Sequence, residues 1–118
     1  MCLLAAAIGV TGSTAWAAES AGKLTKSQVK ALIVTAKTPA DHMKLAKYYR
    51  YEAGMLQTEM NDHNEMAAAY DKNPSGHPVP KAMTLGDHCR NLVKGDMDAI
   101  KEANEMADMH EEMAKNAK

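Results

Sequence analysis

Apolar residues recur along most of this chain at intervals of three and four. Val29, Leu32, Ile33 and Ala36 stand at i, i+3, i+4 and i+7, one face of a helix. Thr25 precedes them with Gln28 three residues later, the pattern of a capping box. A short amphipathic helix is predicted over about 26–37. A second start signal follows at once in Thr38-Pro39-Ala40-Asp41. Thr38 can cap, Pro39 suits the first helical position, and Asp41 falls where the helix dipole favours an acid. The seam behind it reads His42, Leu45, Ala46, Tyr49, Ala53, Leu56, Met60, His63, Ala67 and Tyr70. No proline interrupts it, so a helix over about 39–70 is predicted, roughly 45 Å long. Residues 71–80 hold Asn73-Pro74, Ser75-Gly76, Pro78 and Pro80, which read as a connecting loop. A further long helix is predicted over about 82–116, beginning near Lys81 or Thr84. Its seam is read as Leu85, His88, Leu92, Ala99, Ala103, Met106, His110 and Met113. The fold class that follows is all-α: a short helix and a long antiparallel hairpin.

The two long segments resemble each other. Glu59-Met60-Asn61-Asp62-His63-Asn64-Glu65-Met66-Ala67 returns, one residue longer, as Glu105 to Ala114. Both copies end in His-x-Glu-Met-Ala, and an Asp-His pair precedes each, Asp41-His42 and Asp87-His88. The pattern is that of a duplicated helical segment with histidine near both ends.

Length and composition narrow the setting. At 118 residues the chain makes one domain, and 46% hydrophobic with 25% charged is ordinary for a soluble protein. The seams are rich in Ala and Met, and the sequence holds no Phe. A hairpin this lean buries little, so the short helix is expected to pack on it, a second hairpin to complete a four-helix bundle in a homodimer, or both. A net charge of -1 supplies no basic field for nucleic acid. At the N-terminus an apolar run from Cys2 to Val10 leads to Ala15-Trp16-Ala17, the h-region and cleavage pattern of a signal peptide. Residues 1–17 are read as that signal and 18–118 as a single helical domain, periplasmic or secreted and not membrane-spanning. Cys89 then has no internal partner for a disulfide.

Chemistry is sought at the histidines. Folding the hairpin at 71–80 sets His63 opposite His88 and His42 opposite His110. The separations, 21 residues from His42 to His63 and 22 from His88 to His110, put the pairs about 31–33 Å apart. Met66 and Met113 lie one turn beyond His63 and His110 and are read as thioether ligands. Imidazole suits copper and zinc, and thioether selects Cu(I). Copper is therefore expected before zinc, with non-covalent haem between paired histidines a remote third. The competing interpretation is a structural or partner-binding helical module whose histidines merely pack. No nucleophile, acid–base pair or phosphate loop is visible, so no enzyme is expected.

Thr38-Pro39-Ala40-Asp41-His42, Lys44-Leu45-Ala46-Lys47-Tyr48-Tyr49 and His63-Asn64-Glu65-Met66-Ala67 resemble stretches of small exported bacterial helical-hairpin proteins of uncharacterised function. The resemblance implies the fold and an exported location and carries over no functional residue.

Overall fold

The structure, a computed structural model, describes residues 23–78 and 82–117, and these form three helices. The predicted signal peptide, residues 1–17, lies outside the described residues. Helix α1 is Lys26–Thr35, α2 is Pro39–Lys72 and α3 is Leu85–Asn116. A 3-10 turn, Pro74–Gly76, opens the connection between the long helices, and no strand occurs among the described residues. The long helices pack against each other as an antiparallel hairpin, and α1 folds back on α2. No helix among the described residues is long and apolar enough to cross a membrane.

Each helix begins where its sequence places a cap. Thr25, Thr38 and Thr84 all accept from the backbone of the residue three positions on, and Gln28, Asp41 and Asp87 reach back in turn. Every start is thus a complete capping box. The Lys37 amide is the chief partner holding the Asp41 carboxyl below its ordinary value, with Thr38 assisting. At Asp87 the Arg90 guanidinium contributes most and Thr84 adds to it, setting the carboxyl at about 2.

Small residues line the contact between the long helices. Ala46, Ala53, Ala67, Ala103 and Ala107 are buried, and Leu45 is the one large side chain fully enclosed among the described residues. Gly86 shows how close the helices come, since a Cβ there would run into the Asp71 carboxylate and lie 3.3 Å from the Ala67 carbonyl. All ten predicted seam residues of α2 are buried or half-buried. On α3 the prediction needs correction, because His88, Leu92, Met106 and Met113 are exposed and Cys89, Val93, Asp96, Ile100 and Ala107 face inward instead. The four misses are each one residue from an inward position, because size favours Leu92, Met106 and Met113 over their neighbours Val93, Ala107 and Ala114, and the contact is lined largely by small side chains.

Polar clamps hold the flanks. Arg50 of α2 donates to Asn104 at 2.9 Å and to Glu111 at 3.2 Å, and also pairs with Asp108. Near the connection, Arg90 bonds Asp71 at 2.8 Å and Asp87 at 2.7 Å. Exposed pairs of this kind contribute about 0–1 kcal/mol each. Val29, 5% exposed, carries the packing of α1 on α2, and the Lys23 ammonium lies 4.7 Å from the centre of the Tyr51 ring.

Two outcomes follow from this packing. Leu45→Ala should cost about 2–5 kcal/mol in chemical denaturation, whereas Leu92→Ala, at a position 52% exposed, should stay within about 0.5 kcal/mol. Because Asp87 is held below its unfolded value of 3.8, its contribution is complete above that pH and is lost as pH falls toward 2. Thr84→Ala should lower stability at neutral pH by about 1 kcal/mol. Melting curves recorded from pH 5 to 2 should also show a smaller acid loss in that variant.

Candidate functional site

Lines of residues seven apart set the register. On α2 the line is His42, Tyr49, Leu56, His63 and Tyr70, and on α3 it is Cys89, Asp96, Ala103 and His110. Seven residues are nearly two helical turns, so each line keeps to one face. Two observed contacts join the lines. His63 Nδ1 lies 2.7 Å from Asp96 Oδ2, and the Tyr49 and His110 rings run parallel within 5°, their centres 5.8 Å apart. The second contact mirrors the first in spacing, since His63 and His110, like Tyr49 and Asp96, are 47 residues apart.

His42 comes to His110 as predicted. Their Nδ1 atoms are 3.2 Å apart, and the rings stack with centres 5.4 Å apart and planes 25° apart. His42 is fixed by the first turn of α2, where its amide donates to the Thr38 carbonyl at 3.1 Å. Two nitrogens this close share one proton at most, one ring donating and the other accepting, for two N–H groups would oppose each other. Burial is the main reason the His110 imidazole is harder to protonate than usual, and the charge of His42 adds to it.

His63 and His88 are not brought together. Cys89, 7% exposed, takes the inward position at the start of α3, and its neighbour His88 is turned about 100° away into solvent. His63 meets Asp96 instead, two turns further along. Both side chains are mostly enclosed, 23% and 14% exposed, and the bond offsets the cost of placing a carboxylate inside. A carboxylate on one ring nitrogen fixes the tautomer and aims the other nitrogen, the arrangement that orients histidines bound to metals. Asp96 was missed from sequence because an acid is not sought on an inward face. Its place in the line Cys89, Asp96, Ala103, His110 was the available signal.

Met66 and Met113 are 44% and 43% exposed, standing one turn from His63 and His110 on the flanks of the hairpin. Among the described residues no three His, Cys, Asp or Glu side chains are grouped to hold one metal ion. One hairpin therefore offers two imidazole nitrogens at its far end, with thioethers close by in sequence. The connection end has a cleft of about 350 Å³ lined by Tyr70, Pro74, His77, Leu85 and others, with the His77 ring edge-on to Tyr70 at 5.0 Å.

Compared with protein-family models, curated proteins and solved structures, the chain matches none.

The histidine pair has a pH signature. His110 is depressed below its unfolded value of 6.5, so between the two values the unfolded chain binds the proton more readily. Stability should therefore be complete above pH 6.5 and fall as pH drops through the folded value. Proton NMR should show His110 titrating below 6.5, and His42→Phe should move that titration upward by removing the neighbouring charge.

Proposed function

We propose that this chain is an exported helical protein that binds a transition-metal ion through His42 and His110, for storage, buffering or delivery. The 3.2 Å between the two Nδ1 atoms carries the proposal. Metal–nitrogen bonds of about 2.0–2.1 Å at a tetrahedral angle set two nitrogens about 3.3–3.4 Å apart, so both imidazoles can face one ion with little movement. They need only be neutral, and the depressed His110 value keeps that ring neutral near pH 7. Copper is preferred to zinc because thioethers stand near both rings in sequence, while the adjoining carboxylates Asp41 and Glu111 are engaged by the Thr38 cap and by Arg50. Met43 adjoins His42, and Met106 and Met113 stand four before and three after His110, all partly exposed. Thioether sulfur favours Cu(I). Haem fits less well, since axial nitrogens on opposite sides of one iron would be about 4 Å apart and the stacked rings leave no gap for a porphyrin. The export signal at residues 1–17 and the resemblance to small exported proteins support the location.

The test is thermal unfolding of the chain with no metal, with Cu(I) under reductant, and with Zn(II). A ligand at about 100 times its dissociation constant adds about 2.7 kcal/mol to the folded state, a shift of several degrees. Cu(I) should raise the midpoint more than Zn(II). His42→Ala and His110→Ala should abolish the rise and His88→Ala should keep it. Equal loss in the His88 variant, or no rise with either metal, would refute the proposal and leave a helical module whose histidines pack.

A further inference from the structure

The three helices carry charge unevenly. Residues 23–37, which include α1, hold Lys23, Lys26, Lys30 and Lys37 and no acid. From Asp96 to Glu112, α3 holds seven acids and one lysine, Lys101. Some of those acids are engaged within the chain, Asp96 by His63, Asp108 and Glu111 by Arg50, and Glu105 by Lys101. Asp98, Glu102 and Glu112 have no ion-pair partner among the described residues, and neither do Lys26, Lys30 and Lys37.

Both sets form stripes of matching spacing. Lys26, Lys30 and Ile33 of α1 advance by four and three residues, as do Asp98, Glu102 and Glu105 of α3, with Lys37 two residues past the end of α1 and Met109 continuing the α3 row. That alternation holds a row on one helix face. Each stripe is exposed in the single chain and each has apolar residues within or beside it. Ile33 and Val34 are 51% and 84% exposed on α1, and Met106, Met109 and Met113 are 38%, 54% and 43% exposed on α3. Val29 occupies the packing of α1 on its own α2, which leaves the lysine stripe uncovered.

We infer that the lysine stripe of α1 docks on the acidic, methionine-edged stripe of α3 in a second copy of this chain. The second copy is the occupant because one sequence supplies both halves of the match. A twofold axis sets α1 on the partner's α3 and the partner's α1 on α3, forming the contact twice. Burying Ile33, Val34 and the three methionines supplies the apolar term, and opposed charges fix the pairing and speed encounter. The inference stands on charge and exposure and does not depend on the metal reading.

Sedimentation equilibrium tests it. At low salt the chain should weigh as a dimer, and near 1 M NaCl, where the screening length is about 3 Å, it should shift toward monomer. Lys26→Glu with Lys30→Glu, and separately Asp98→Lys with Glu102→Lys, should each be monomeric with helical circular dichroism retained. Mixing the two variants one to one should restore a dimer, because the mixed pair has one contact with its charges exchanged, glutamates on lysines, and one native contact. A wild-type chain that is monomeric at every salt concentration overturns the inference, as does a dimer that ignores salt or survives both reversals. Binding of a monomeric wild-type chain to anionic vesicles through α1 would assign the lysine stripe to a membrane surface and overturn it as well.

Discussion

The close approach of α2 and α3 governs this structure. Where Gly86 passes α2 an added Cβ would run into the Asp71 carboxylate and press on the Ala67 carbonyl at 3.3 Å, and Ala107 is wholly enclosed. Two helices at that distance gain from many small contacts rather than from large buried side chains. The gain per residue is modest, since an alanine buries little beyond its one methyl group, while a fully buried leucine is worth about 1.5–3 kcal/mol. Large apolar residues are accordingly displaced to the flanks, where Leu92, Met97 and Met109 are each more than half exposed. The same constraint makes the complete caps and the Arg50 and Arg90 clamps matter more than they would on a large core.

A seam of small residues specifies register poorly, because one alanine resembles the next. Polar positions within the seam supply what alanine does not. Asp96 is inward and bonded to His63, and moving α3 by one turn would leave that carboxylate enclosed with no partner, a larger loss than any alanine contact could return. Toward the far end of the hairpin, Tyr49 stacks on the other inward histidine, His110. One contact is thus a fixed polar bond and the other an aromatic contact that leaves the His110 nitrogen facing His42.

Much of this was legible in the sequence, and the part that was not has a physical cause. The first two helix starts were clear from Thr25 and Thr38, whereas the third was expected near 82 and falls at Leu85, where Thr84 and Asp87 complete a box that the sequence also carries. The α2 seam was clear because its large residues, Leu45, Tyr49 and Leu56, do face α3. On α3 size misled, since Leu92, Met106 and Met113 are larger than the adjacent residues that lie inward, Val93, Ala107 and Ala114, while Ala103 stands inward as expected. That error set His88 inside. His42 with His110 was predicted from the repeat spacing and stands in the structure at 3.2 Å, whereas His63 turned to an acid that hydropathy alone assigns to solvent.

The two proposals meet at the same end of the molecule. Helix α1 joins α2 three residues before Pro39, close to His42, and the acidic stripe of α3 includes Met109 and extends to Glu112 on either side of His110. A metal held by His42 and His110 adds positive charge beside the acids that would receive the partner's lysines. Its coupling to dimer formation then has two opposing parts. Added charge weakens the attraction of the lysines, whereas fixing the two imidazoles stiffens the helix ends that form the contact. Whichever part is larger, the linkage is reciprocal: if metal loosens the dimer, dimer formation must weaken metal affinity by the same factor. A delivery protein would gain from the first sign, releasing its ion on self-association, and a storage protein from the second. The sign of that coupling, more than the affinity of the site, separates the two roles.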